Sequence, residues 1–378
     1  MARRTTALET ETFPEADRLE GFPHPRETAK LFGHGEAQAE FASAFASGRL
    51  HHGWIVTGAE GIGKATLAYQ LARYVLSADQ ERSWSDDQGI GYREGSTADR
   101  QVRSLSHPAL LVIRRSYDIR NKRLPTQISV DEVRRLKGFL THKAGNDAWR
   151  VVIVDRTEEL TLNAANALLK SLEEPPPRAV FLLVAAEPGR LLATIRSRCR
   201  LLPLQPLANE ELVPAATQAV AESDLDLEVT GDDAQMLAAA GGSVRRFLEL
   251  SSGDGGEISS FVDRLLAAGG RPDWQARHAL AERLAATAAQ QNYEMFFHVL
   301  FERLGRLIRV RAGGSGSEAE RQRSMQLISP DGLATWVDLW ETLQREKLDI
   351  QTLNLDRASF LLDAMARIDE AAARGART

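Results

Sequence analysis

A chain of 378 residues has room for two or three domains. Hydrophobic residues make up 43% of it and charged residues 26%, enough for buried cores under a polar surface. The formal net charge of −5 argues against a protein that coats nucleic acid by itself. Its single cysteine, Cys199, rules out an internal disulfide and a cysteine-built zinc site.

The first residues carry Arg3 and Arg4 but no apolar signal core, so 1–25 is expected to be a polar, mobile extension. No apolar run approaches the length of a membrane span, and the expected location is cytoplasmic. From 26 to 207, short runs rich in Val, Ile, Leu and Phe at 54–57, 110–114, 151–155 and 180–185 alternate with helical periodicity at 36–47, 65–76, 130–141 and 162–173. Continuous apolar runs suit strands covered on both faces, which gives a three-layer α/β domain around a parallel sheet. Residues 81–103 are polar and read as an exposed insertion. The basic residues Arg114, Arg115, Arg120, Lys122 and Arg123 read as a solvated face.

Beyond 208 only helical patterns remain, at 208–222, 231–240 and 243–250, with breaks expected at 251–257 and 269–273. Segments 274–310 and 331–370 carry long amphipathic stripes, including Phe296, Phe297, Leu300, Leu304 and Leu307, of the kind that form a bundle core. The expected order is an α/β domain at 26–207, a small helical domain at 208–270 and a helical bundle at 271–378.

Chemistry enters at Gly58-Ala-Glu-Gly-Ile-Gly63-Lys64-Ala65. The pattern G-x-x-x-x-G-K-[ST] holds a triphosphate through backbone N–H groups, a lysine and a hydroxyl that ligates Mg²⁺. Here the strand before it and the helix after it are in place, but the hydroxyl position is Ala65. Thr66 stands one residue late, about 100° round the helix. Gly58, Gly61, Gly63, Lys64 and Thr66 are therefore the candidates for holding ATP or ADP. The other reading is a glycine turn that binds nothing.

Trp149-Arg-Val-Val-Ile-Val-Asp155-Arg156 is a strand ending in an acid. Such an Asp supports Mg²⁺ in phosphate-loop enzymes and a following Glu polarises the attacking water, but the Glu position is Arg156. Asp155 is equally readable as the cap of the next turn. Glu158 and Glu159 fall at the wrong spacing. Next come Asn163-Ala-Ala-Asn-Ala-Leu-Leu-Lys-Ser-Leu-Glu173-Glu-Pro-Pro-Pro177, a helix stopped by prolines, and Thr194-Ile-Arg-Ser-Arg198-Cys199.

Taken together, the run from Asn166 to Pro176 and the Ser197-Arg198-Cys199 segment resemble the bacterial DNA polymerase III clamp-loader AAA+ family. The resemblance covers residues 26–250 closely and Leu353-Asn-Leu-Asp356 more loosely. It implies an AAA+ domain, a helical lid and a helical collar. Ala65, Arg156 and Ala185-Ala186 replace residues that the family's motor subunits use. That pattern resembles the delta-prime branch, a non-hydrolysing stator that joins gamma/tau ATPase subunits, a delta subunit and the sliding clamp on primed-template DNA.

The resemblance makes Arg198 an arginine finger acting in trans on a neighbour, against a bare reading as a surface arginine. It places Arg245 near bound phosphates as a second sensor, against a reading as a helix-surface residue. Ser197 and Cys199 are expected to hold the Arg198 segment. A zinc module found in many members is not expected, since 81–103 has no cysteine. The alternatives are an active ATPase subunit of the same family and, from another class, a stand-alone phosphate-loop enzyme such as a small-molecule kinase.

Overall fold

The computed structural model describes residues 14–375 apart from 86–88, 120–122, 142–147, 224, 226, 228, 230–233, 253, 268–272, 287–288, 315, 317 and 354. In chain order the elements are α1 (Gly35–Ala46), β1 (Gly53–Thr57), α2 (Lys64–Leu76), β2 (Arg82–Ser85), β3 (Gly89–Tyr92), α3 (Thr97–Arg103), β4 (Leu110–Ile113), α4 (Val130–Thr141), β5 (Arg150–Val154), α5 (Leu162–Glu173), β6 (Ala179–Ala185), α6 (Ala193–Arg196) and β7 (Arg200–Pro203). Helices follow to the end: α7 (Asn209–Ala221), α8 (Ala234–Ala240), α9 (Val244–Ser251), α10 (Asp254–Leu265), α11 (Trp274–Ala285), α12 (Gln290–Arg311), α13 (Glu318–Leu327), α14 (Leu333–Leu353) and α15 (Arg357–Gly375).

The sheet is parallel with strand order β4-β5-β6-β1-β7. Because side chains alternate along a strand, consecutive apolar residues feed two separate cores. Trp54, Val56, Val151, Ile153, Leu182 and Val184 pack with α1 and α2 residues such as Phe41, Leu67 and Leu71. Ile55, Val152, Val154, Phe181 and Leu183 pack on the other face with Val133, Leu136, Leu168 and Leu172 of α4 and α5. That division produces the three layers the sequence implies.

Several sequence expectations are corrected. Residues 14–25 are not a loose extension, because Glu15 and Asp17 pair with Arg26 and Arg114, and His24 is fully buried. Arg114 is therefore an anchor rather than part of a solvated face, and Arg115 pairs with Glu159 at 2.7 Å. Arg120 and Lys122 lie outside the described residues. The segment 81–103 forms the antiparallel pair β2–β3 and the helix α3, and is fastened inward. Its Asp99 accepts from the buried Arg73 of α2 at 2.9 Å, and Ile90 N–H donates to Gln38 Oε1 of α1 at 3.0 Å. The edge strand β7 went unpredicted, and the expected break at 251–257 is in part the first turn of α10.

Tertiary packing divides the chain into two compact units, Met1–Leu237 with Gly241–Arg246, and Ala238–Ala240 with Phe247–Thr378. The second unit is helical in its described residues and centres on α12, whose Phe296, Phe297, Leu300 and Leu304 are fully buried. Phe297 stacks on Phe360 of α15 at 5.1 Å between ring centres. Gly305 lets Trp340 of α14 lie close enough to donate its indole N–H to Phe301 O at 2.9 Å. Asp356, in the segment resembling the collar, caps α15 by accepting from Ala358 N–H at 3.1 Å. No helix of the described residues is long and apolar enough to cross a membrane.

Candidate functional site

The loop 58–63 joins the C-terminal end of β1 to α2. Its three glycines adopt positive φ, 140° at Gly58, 77° at Gly61 and 107° at Gly63, which side-chain-bearing residues reach only with strain. A Cβ on Gly58 would also meet Leu204 O at 2.5 Å, and one on Gly61 would collide with Ser243 and Arg245. The glycine spacing is thus demanded by backbone conformation and by close approach.

Every carbonyl from 58 to 62 holds a donor. Lys64 Nζ donates to Gly58 O at 2.9 Å and Ala59 O at 2.6 Å. Ser243 Oγ donates to Glu60 O at 2.9 Å, Arg245 N–H to Gly61 O at 3.3 Å, and His34 Nε2 lies 2.7 Å from Ile62 O. The lysine is accordingly folded back on its own loop and buried. That burial lowers its pKa from the usual lysine range, with Glu60, Glu158 and Asp155 working the other way. Thr66 is half-buried one position further along α2.

Arg156, with φ 55°, turns back over the loop and pairs with the Glu60 carboxylate, and a second nitrogen lies 3.4 Å from Glu159 Oε1. Where a water-polarising carboxylate would stand, the chain has a guanidinium held against the loop. Glu158 bonds elsewhere, accepting from Ala186 N–H at 2.9 Å.

Asp155 is buried, and burial together with the neighbouring Asp17 carboxylate pushes its pKa up to about 7. Burial also opposes the charge on Asp17, but His24 and Arg114 outweigh it and hold Asp17 well below the usual carboxylate range. His24 Nδ1 accepts from Arg26 N–H at 3.0 Å, and its Nε2 lies 2.8 Å from Asp17 Oδ2 and 2.7 Å from Arg114 Nη1. Arg114 Nη1 donates to the other Asp17 oxygen at 2.6 Å. Sequence reasoning missed this network entirely. Asp155 stands beside this network, which ties residues 14–26 to Arg114 after β4.

Arg198 lies elsewhere. The register pairs Trp54 with Arg200 and Thr57 with Pro203, so the turn before β7 sits at the N-terminal end of β1 and the loop at its C-terminal end. A strand of five residues separates the two ends by roughly 13 Å. The Arg198 guanidinium donates to Thr194 O at 3.0 Å and pairs with Glu173 Oε1 at 3.0 Å, with 38% of its side chain exposed. Ser197 caps α6 through Thr194 O at 3.1 Å. Cys199 packs on Gly53, where a Cβ would lie 2.7 Å from its sulfur, and burial pushes its thiol up to about 12.

Residues 33–208 match the family model described as "DNA polymerase III, delta subunit". The α/β domain is therefore similar to DNA polymerase III subunits of this family. A DNA polymerase III subunit delta' of Escherichia coli (strain K12) is 33% identical over 65% of this chain and 63% of its own length. A subunit delta' of Pseudomonas aeruginosa is 35% identical over 39% of this chain and 41% of its own length. A subunit tau of Escherichia coli (strain K12) is 27% identical over 64% and 36%. The chain thus spans less than two thirds of each of these relatives. In this α/β domain the loop, Arg156 and the segment 243–245 form one site, while Arg198 belongs to the opposite end of the sheet.

Proposed function

We propose that the chain is a non-hydrolysing subunit of the DNA polymerase III clamp loader, of the delta-prime kind. It assembles with gamma/tau ATPase subunits and a delta subunit, and serves the loading of the sliding clamp on primed-template DNA, in the cytoplasm. The observation that carries this reading is the Arg156–Glu60 pair across the loop. A guanidinium cannot accept a proton from water, and Ala65 offers no oxygen to Mg²⁺, so the two groups that phosphoryl transfer needs on either side of the γ-phosphate are both missing.

The helical unit supplies the collar that joins neighbouring subunits. Arg198 supplies charge to a neighbour's nucleotide: it cannot reach this chain's own loop at the far end of β1, and its exposed, singly paired guanidinium is cheaply released from Glu173. ATP or ADP, if held, is held by Gly58, Gly61, Gly63 and Lys64, with Thr66 and Arg245 beside them, and is not turned over. The test is steady-state ATP hydrolysis by the purified chain. None is expected, and turnover abolished by Lys64→Ala would refute the proposal in favour of an active ATPase subunit.

A further inference from the structure

One carboxylate at the loop is paired with a cation, Arg156, and lies within the field of two more. The Glu60 side chain pairs directly with Arg156 and feels the charges of Arg245 and Lys64. Its backbone is pinned in place as well, since Glu60 O accepts from Ser243 Oγ and the next carbonyl accepts from Arg245 N–H. Half of the Glu60 side chain is open to solvent, so an anion from outside can reach the same cations.

We propose that Glu60 is a built-in counter-anion that occupies the loop's phosphate position, and that the site beneath it takes a metal-free di- or triphosphate group. Arg156 provides fixed positive charge in place of the Mg²⁺ that Ala65 cannot hold. A guanidinium keeps that charge at any ordinary pH and donates to phosphate oxygens in a planar fork. A phosphate chain entering the loop displaces the Glu60 carboxylate from Arg156, and Lys64 exchanges its loop carbonyls for phosphate oxygens. Affinity in the wild-type chain is therefore reduced by competition from within. The inference rests on the reading that this loop no longer turns nucleotide over.

The test is calorimetric titration of the full-length wild-type chain and Glu60→Gln with sodium tripolyphosphate and with ADP, each in EDTA and in Mg²⁺. Glu60→Gln is expected to bind tripolyphosphate about tenfold more tightly than wild type, as removal of one part-exposed competing ion pair implies. The gain should be the same in EDTA as in Mg²⁺, and should vanish in Glu60→Gln combined with Arg156→Gln. ADP binding more tightly than tripolyphosphate identifies a nucleotide as the source of the phosphate group, and the reverse identifies free polyphosphate.

Glu60→Ala, checked by thermal melting, serves as the second variant. No gain in either Glu60 variant, a gain that needs Mg²⁺, or a gain that survives loss of Arg156 would each overturn the inference. ATP turnover by these variants would instead refute the non-hydrolysing role and leave the binding result standing.

Discussion

Asp99→Ala should strip the segment 81–103 of its main anchor. Arg73 is fully buried on α2, and its Nε donates to Asp99 Oδ1 at 2.9 Å. The same carboxylate accepts from Arg103 Nε at 3.0 Å and Gly95 N–H at 2.9 Å. Removing it leaves a buried guanidinium without a counter-charge, which costs about 3–5 kcal/mol. Arg73 keeps a bond to Arg26 O and lies 5.4 Å over the Tyr92 ring, so about 3 kcal/mol is the better figure here. For a unit of this size each kcal/mol moves the midpoint by about 2–4 °C, so a fall of about 6–12 °C is expected by circular dichroism.

The sign with pH follows. Burial opposes the Asp99 charge, but Gly95 N–H and the two arginines hold its pKa below the usual value, so its contribution is present above the ordinary carboxylate range and lost in acid. The gap between wild type and Asp99→Ala should close below about pH 4. Asp99→Ala with Arg73→Met should recover most of the loss, because the buried charge goes with its partner. A single variant melting within 2 °C of wild type (about 1 kcal/mol or less), or a double variant no better than the single, would refute the reasoning.

The Asp17–Asp155 pair gives a second pH prediction: a raised native pKa contributes stability in acid that is lost as pH rises through about 7. Asp155→Asn should flatten the melting profile between pH 6 and 8.5 and match or exceed wild type at the alkaline end; a profile as steep as wild type would disprove the raised Asp155 pKa. In the assembled complex, Arg198→Ala should leave assembly intact and reduce ATP hydrolysis only in part, and Arg198→Lys should rescue poorly because the planar fork is lost; unchanged hydrolysis and clamp loading would remove the finger role. A chain ending at Arg246 should fold as the α/β unit and fail to join the complex, since all of the helical unit but Ala238–Ala240 lies beyond that point; assembly at full affinity would exclude the collar role. Cys199 should resist a disulfide reagent at pH 8 until the chain unfolds, given a thiol pKa near 12.

The parts of the fold that were legible in the sequence are those where a local pattern has a local cause. Apolar runs covered on both faces, the glycines at positive φ and the prolines that end α5 each follow from a few adjacent residues. β7 escaped because it is an edge strand with Arg200 and Leu201 exposed, and so has no continuous apolar run. The segments 14–25 and 81–103 were misread for a different reason. They are polar in sequence, and polarity was taken for exposure, yet Glu15 and Asp17 meet Arg114 nearly a hundred residues away, and Asp99 meets Arg73. A buried ion pair looks the same in sequence as two solvated charges.

The loop shows the same limit at the scale of single residues. Ala65 and Arg156 could be read as losses from the sequence, because a missing hydroxyl and a missing carboxylate are chemical facts at known positions. What replaces the lost chemistry could not be read, since it depends on Glu60 and Arg156 meeting across 96 residues and on Ser243 and Arg245 closing over the glycines. The replacement also changes what the loss means. A loop that had merely decayed would be free to lose its glycines, whereas here Gly61 is required by the segment packed on it, and Lys64 and Arg156 are engaged with loop atoms. These contacts hold the loop as an internally paired structure. The phosphate affinity proposed above would draw on the same contacts, with Lys64 and Arg156 exchanging loop atoms for phosphate oxygens.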